Sequence, residues 1–339
     1  MNPSVSVPLF PVPRLMERPW GGSGLRAWGR PCLEGVRIGE SWELGCFPGF
    51  DSSLEGTSHT LLSQAMVAGN DPWPGCAHGV FPLLVKLIDA RETLSIQVHP
   101  SVASADAAPK NECWLVLEAP KGGFLYAGTT RKLDSSELVS RLGAGDTEVL
   151  ARIPVKTGDV VMIPAGTIHA ITAGLVVAEV QQASDTTYRL WDWGRTGLDG
   201  KPRELHLDLA KSCLDPAPNP GLKPVPVAID GFSELLCATP WFALKRIRPG
   251  TGERIEGHDG FRILMVLEGP MDLSWEGGRK SLERGRFVIL PPHAKVRIAG
   301  GLALETWVPN WDRDVLGPVL SAGHSREMAY QLSAGIVRG

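Results

Sequence analysis

The sequence lacks several features that would each have pointed to a class of protein. It has no excess of positive charge: 34 Lys and Arg stand against 37 Asp and Glu, for a formal net charge of −3. A nucleic-acid binder needs a Lys/Arg stripe that tracks phosphates, and the absence of one argues against that class. No apolar run approaches the ~18 residues that cross a bilayer, so no membrane segment is expected. The opening MNPSVSVPLFPVPRL has no basic stretch followed by an apolar one, so no signal peptide is expected. Cys32, Cys46, Cys76, Cys113, Cys213 and Cys237 include no C-x-x-C pair. In a chain this size they read as reduced, partly buried thiols of a cytoplasmic protein. Long helical patterns are scarce, whereas 39 glycines and 28 prolines make up about a fifth of the 339 residues. An all-β fold with many turns and a few short helices follows.

The informative stretch is Leu83–Trp114. In LSIQVHP, Ser95, Gln97 and His99 alternate with Ile96 and Val98, so a strand would show a polar row on one face and an apolar row on the other. A barrel wall around a polar site needs that pattern. Glu112 follows in KNECW. Further on, GDVVMIPAGTIH reads as a strand over Val160–Ile163, a turn at Pro164-Ala165-Gly166 and a return strand from His169 to Ile171. Two histidines and a glutamate, His99, His169 and Glu112, with Gln97 as a neutral fourth donor, form a mixed N/O set. Such a set suits zinc or another first-row divalent ion, one per chain.

Elsewhere, Ile38–Gly45 reads as a strand with Ser41 and Glu43 on one face and Trp42 and Leu44 on the other. Thr57–Gly69 reads as a short helix, and Asp134–Leu142 as another capped by Asp134 or Ser135. Phe81–Asp89 reads as a buried strand in which Lys86 needs an anionic partner or a cavity. Proline-rich Pro216–Pro226 reads as a linker between a metal-binding domain, 1–215, and a second β domain, 225–310, with a tail, 311–339, of unassigned structure. A faint repeat relates the two: Gly158 precedes Pro164 by six positions, and Gly285 precedes Pro291 by six. In the second copy His293 stands at the place of Gly166 and Val296 at the place of His169, so that domain is expected to be metal-free and structural. His59, His78, His258, His293 and His324 read as structural or surface residues.

The pattern G-x5-P-x-G-x2-H resembles the second motif of the cupins, which are jelly-roll barrels. LVKLIDARETLSIQVHP, KNECW, IPAGTIHAI and EVQQASDTTYRLWDWGR together resemble the type I mannose-6-phosphate isomerases in their shorter bacterial form, from about Trp20 to His206. That resemblance implies two cupin-like barrels and makes Gln97, His99, Glu112 and His169 the zinc ligands. It also implies an active-site arginine at Arg189, a lysine at Lys110 and a pocket glutamate at Glu179. Lys86 and Ser95 fall at the phosphate end, with Arg195 a looser candidate there. Ser101-Val102 stand where the family often has acidic residues, and the His99–Glu112 loop is short.

The implied reaction moves a proton between C1 and C2 of a sugar phosphate through an enediol(ate). Arg189 would stabilise the developing oxyanion, since a guanidinium does not readily release a proton. Glu179 is the first choice of base, then Lys110, with His206 or water on the metal also open. Two rival readings remain at this level. Two histidines and a carboxylate also make the facial triad of non-haem iron oxygenases. A cupin that binds a sugar phosphate without turnover is the other. Whether the chain is a monomer or a homodimer is not encoded legibly.

Overall fold

The computed structural model describes residues 6–56, 60–68, 73–76, 79–101, 108–215, 222–250, 253–255 and 258–337. His59, His78, most of the loop between His99 and Glu112, and residues 216–221 of the expected linker lie outside these. The described chain is mostly β. Its first half forms β1 (Arg14–Gly22), β2 (Ile38–Leu44), β3 (Leu83–Ala90), β4 (Ile96–Val98), β5 (Glu112–Glu118), β6 (Phe124–Thr129), β7 (Leu150–Pro154), β8 (Val160–Ile163), β9 (His169–Ile171), β10 (Leu175–Gln182) and β11 (Tyr188–Trp191). They make two antiparallel sheets, six-stranded β8-β5-β10-β3-β2-β1 and five-stranded β7-β6-β9-β4-β11.

Alternation explains how the sheets pack. Ile88, Trp114, Val161 and Val177 of the larger sheet meet Leu125, Ala127 and Ile171 of the smaller one in one buried cluster. On the far side of the smaller sheet, Ile96 and Val98 pack under the helices Ser135–Gly143 and Leu207–Cys213. Asp134 caps the first helix, accepting from the N–H groups of Ser136 and Glu137 at 2.8 and 3.3 Å. The second helix has no clear sequence signal. The expected helix over 57–69 is seen as Leu62–Met66.

The other face of the larger sheet is also buried. Leu83, Val85, Leu87, Cys113 and Leu115 pack against Leu236, Leu244, Ile263 and Leu304 of a six-stranded sheet in the second half. A four-stranded sheet covers the remaining side of that second sheet, giving another β pair. The N-terminal segment also crosses over: Leu9 and Ile289 exchange backbone hydrogen bonds at 2.8 Å. Arg30 pairs with Glu43 at 2.7 Å and donates to the Gly285 carbonyl at 2.8 Å, both side chains being buried. The tail is ordered into short helices, including Gly317–Ser321 and Arg326–Gln331, whose Val319 and Ala329 pack against Val227, Leu235 and Trp307.

One expectation is corrected. Trp42 lies opposite Lys86, but the register then slips, so that Leu44 lies opposite Val85. This bulge at Glu43 turns Leu44 into the core between the two halves, while Trp42 stays on the cavity side.

Candidate metal centre and active site

Strand register brings the chemistry together. In the smaller sheet His169 lies directly opposite Gln97, and Gln97 directly opposite Arg189, so β9, β4 and β11 present a row on one face. In the facing sheet Glu112 of β5 lies opposite Ile163 and Gln181, and the next inward-facing row runs Trp114, Glu179, Lys86, Trp42. The corner after β8 is fastened from three sides. Gly166 takes a φ of +84°, its N–H donates to the His99 carbonyl at 2.9 Å, and Asn111 Oδ1 accepts from the Ala165 N–H at 2.9 Å. Asn111 also donates to Gln182 at 2.7 Å. Sequence reasoning passed over Asn111, although it stands inside the KNECW block.

At the centre, His99 Nε2 and His169 Nε2 each lie 3.3 Å from an oxygen of Glu112. One ligand atom from each residue falls within 4.8 Å of the others. The Nδ1–H of His99 donates to the Thr186 carbonyl at 3.0 Å, and that of His169 to the Thr167 carbonyl at 2.9 Å. In the neutral rings both Nε2 atoms therefore turn a lone pair toward the carboxylate, that of His99 without a hydrogen-bond donor among the described residues and that of His169 beside the Gln97 amide nitrogen. Burial pushes the His99 pKa down to about 4, with Lys110 adding to the effect, and burial lowers His169 as well. Burial would raise the Glu112 carboxyl, but Lys110 and the imidazoles hold it well below the usual carboxylate range.

Lone pairs thus face lone pairs in a site almost sealed from solvent. His99 Nε2 and both Glu112 oxygens accept no hydrogen bond among the described residues. Leaving such buried groups unsatisfied costs about 1–3 kcal/mol each, more for a charged one. Lys110, 3.1 Å from Glu112 Oε2, meets part of that need. A divalent cation is the partner that would satisfy all three donors, and the residues fit one. Gln97 stands slightly apart: its amide nitrogen lies 3.2 Å from His169 Nε2, and its oxygen accepts from Ser95 Oγ at 3.2 Å. As a fourth ligand it would have to turn its amide over.

Gln97 and Lys110, which adjoin the cluster, line a cavity of about 660 Å³ together with Trp114, Glu179, Arg189 and Trp20. Glu179 is fixed by the Trp114 indole N–H, which donates at 2.9 Å, and by Lys86 Nζ at 3.3 Å. Arg189 donates to the Glu204 carbonyl at 2.8 Å, while its Nε has no partner among the described residues. Burial, then Arg203, lowers the Arg189 pKa from its usual value.

The surroundings of Lys86, Arg195 and His206 bear on the roles expected of them. Lys86 is surrounded by acid: besides Glu179 it has Asp185 at 3.8 Å, and it sits 5.0 Å from the Trp42 ring centroid. Burial opposes its charge, yet Glu179, Glu40 and Asp185 raise its pKa above the usual lysine value. Its charge is already matched, which makes it a poor phosphate anchor. Arg195 is not among the cavity-lining residues, being tied to the Thr93 carbonyl and to Asp192 at 3.8 Å. His206 also lies off the lining, its Nδ1 accepting from the Arg189 backbone N–H at 3.2 Å. The cavity lining also includes Lys201, Arg18, which pairs with Glu40 at 2.7 Å, and Arg203, which pairs with Asp192 at 3.2 Å. These come from loop and edge segments whose charges have no period to distinguish them.

The profile of the type I phosphomannose isomerase catalytic domain matches residues 17–121. A Bacillus subtilis protein named "Putative mannose-6-phosphate isomerase YvyI" is 32% identical over 304 residues, covering 84% of this chain and 93% of its own. The chain belongs to the type I phosphomannose isomerase family. A mannose-6-phosphate isomerase from Streptococcus mutans is 28% identical over 328 residues, 94% of this chain and 99% of that one. The solved mannose 6-phosphate isomerase of Bacillus subtilis superposes with a TM-score of 0.78 at 29% identity, over 88% of this chain and 98% of that structure. Family membership favours isomerase chemistry over the oxygenase reading of the same ligand triad. No helix among the described residues is long and apolar enough to cross a membrane, and all six cysteines are free thiols.

Proposed function

We propose that the chain interconverts mannose 6-phosphate and fructose 6-phosphate by proton transfer between C1 and C2 through an enediol(ate). His99, Glu112 and His169 would hold one divalent ion, zinc by the chemistry of the donor set, with Gln97 joining if its amide turns. The observation that carries this reading is the buried His99–Glu112–His169 cluster, whose His99 Nε2 and Glu112 oxygens have no hydrogen-bond partner among the described residues, beside a cavity lined by Lys110, Glu179 and Arg189. The ion, when bound, would supply a Lewis acid for the oxygens of the reacting carbons.

The chain's own groups have distinct tasks. Arg189 extends the Gln97–His169 row and offers an unpaired N–H to the oxyanion that develops as the α-proton leaves. Glu179 is the base we favour, because Trp114 and Lys86 fix its carboxylate at the cavity wall. Lys110, 3.1 Å from Glu112, is the alternative. A positioned base contributes about 10²–10⁴-fold. The phosphate is assigned to Arg18, Lys201 and Arg203 of the cavity lining, and Lys86 then serves to hold Glu179 while Ser95 steadies Gln97. Arg18 and Arg203 each pair with one carboxylate, Glu40 at 2.7 Å and Asp192 at 3.2 Å, whereas Lys86 faces several, and a planar guanidinium has five N–H donors to share.

We also read the two halves as cupin-like jelly-roll domains, 1–215 and 225–310, followed by the tail. Positive φ at both Gly166 (+84°) and His293 (+63°), equivalent points of the repeated corner, supports that reading. Free thiols suit a reducing compartment, and a cytoplasmic enzyme is our assignment. The test is incubation of purified protein with mannose 6-phosphate and detection of fructose 6-phosphate. Turnover that needs Arg189 supports the proposal. Oxygen consumption without isomerisation would reject it, as would sugar-phosphate binding without turnover.

A further inference from the structure

The repeated corner extends into a repeated sheet. In the first half β8, β5, β10 and β3 are neighbours in that order. In the second, Phe287–Leu290, Arg262–Glu268, Leu302–Trp307 and Ala243–Ile247 are neighbours in the same order. Register then matches residue to residue. Ile163 lies opposite Glu112, and Leu290 opposite Arg262. Two positions along, Trp114 lies opposite Glu179, and Leu264 opposite Glu305. Glu179 lies opposite Lys86, and Glu305 opposite Lys245. The second half therefore keeps the cross-strand Lys–Glu pair, with Lys245 Nζ 2.5 Å from Glu305. Where the first half has the carboxylate Glu112, it has a guanidinium, and where it has His169, it has Val296.

That exchange inverts what the place can bind. Arg262 lies over the Trp307 ring, 4.2 Å from its centroid. Its Nε and Nη1, and the Trp307 indole nitrogen, are buried without an acceptor among the described residues. Nearby acceptors are committed elsewhere. Glu305 is engaged by Lys245 and approaches Arg262 only to 3.8 Å, while Asp314 and Asp259 are taken by Arg313 at 2.8 and 2.5 Å. Asp314 also lies 3.1 Å from His258 Nε2. Burial lowers the Arg262 pKa despite Glu305, so that carboxylate does not make up for the lost hydration. Lys245 and Arg262 side chains still keep 22% and 12% of their exposure, so the place lies close to the surface.

We infer that the C-terminal half carries an oxyanion site, for a phosphate group, built from Arg262 and the Trp307 N–H. Three buried donors without acceptors call for a ligand made of acceptors. A cation is disfavoured there by the guanidinium itself. The phosphate could come free in solution or on a sugar, and binding distinguishes the two.

Equilibrium dialysis of the metal-loaded full chain against inorganic phosphate, and separately against mannose 6-phosphate, gives the stoichiometry. An Arg262-dependent equivalent is expected beyond whatever the first-half cavity binds. Arg262→Gln should weaken that equivalent at least tenfold and leave the rate of isomerisation unchanged. Trp307→Phe keeps the ring beneath the guanidinium but removes the N–H, so it should weaken the same equivalent several-fold and decides the matter if Arg262→Gln does not fold. Arg189→Ala should spare it. An extra equivalent seen with inorganic phosphate alone assigns the free ion, and one seen with both assigns the phosphate group wherever it is carried. Equal stoichiometry and affinity in wild type and in every folded variant, with both ligands, would overturn the inference. Because the readout is binding, it stands or falls separately from the isomerase proposal.

Discussion

His99 and His169 are placed by backbone carbonyls as much as by Glu112, and the function of the three follows from the direction their lone pairs face. His99→Ala should remove the bound metal and reduce isomerisation at least 10³-fold, while circular dichroism still reports most of the β-structure. Full activity in that variant would remove the metal assignment. Glu179→Gln should instead keep the metal and lower kcat by about 10²–10⁴-fold, as expected for a lost base. If Lys110→Met shows that kinetic signature and Glu179→Gln does not, the base is Lys110. Glu40 gives a prediction about stability. Burial opposes its charge, but Lys86 and Arg18 bring its pKa down to about 2 from 4.5. A depressed carboxylate pKa stabilises the fold above the unfolded value and ceases to do so as pH falls through the folded value. The stability difference between wild type and Glu40→Gln, measured by urea unfolding, should be full above about pH 4.5 and shrink toward pH 2. A difference that does not change with pH would disprove this origin.

At the scale of elements, the corner after β8 is the decisive piece. Gly166 has a φ of +84°, and a Cβ there would sit 3.0 Å from the Cys213 carbonyl. Gly166→Ala should cost at least about 1–2 kcal/mol in unfolding, and it should loosen metal retention because the same corner carries His169. This corner was legible in the sequence, since proline, glycine and histidine at fixed spacing have a local meaning. So was β4, whose alternation alone separates Gln97 and His99 from Ile96 and Val98. The bulge at Glu43 was not, because it arises from pairing between β2 and β3 and leaves no mark on β2 alone. The acidic surroundings of Lys86 were equally hidden: Glu40, Glu179 and Asp185 come from segments far apart in the chain. Sequence recognised that the lysine needed a partner but not that three carboxylates supply one. The contact of Arg195 with the Thr93 carbonyl was hidden for the same reason, since it too joins separate segments.

Across the whole molecule, the central strands of the six-stranded sheet that carries Glu112 and Glu179 are packed on both faces among the described residues. Its Cys113, Leu115 and Leu117 pack into the same cluster as Leu236, Phe242 and Leu244. Each buried leucine or phenylalanine side chain contributes roughly 1.5–3 kcal/mol, so the second half supports the first directly. A fragment ending at residue 215 should therefore be insoluble or molten by near-UV circular dichroism, whereas a cooperative two-state transition in that fragment would contradict this dependence. Reading strands one at a time could suggest two domains, but it could not reveal that they share a core. The account as a whole rests on one coupling, between a cation at the triad and turnover of a sugar phosphate in the cavity beside it. The most direct measurement follows metal content and fructose 6-phosphate formation together, in one preparation stripped by a chelator and then titrated with zinc. Activity rising in proportion to zinc, to saturation at one ion per chain, is the predicted result. Undiminished activity in the stripped protein, or a fully loaded protein that forms no fructose 6-phosphate, would contradict it.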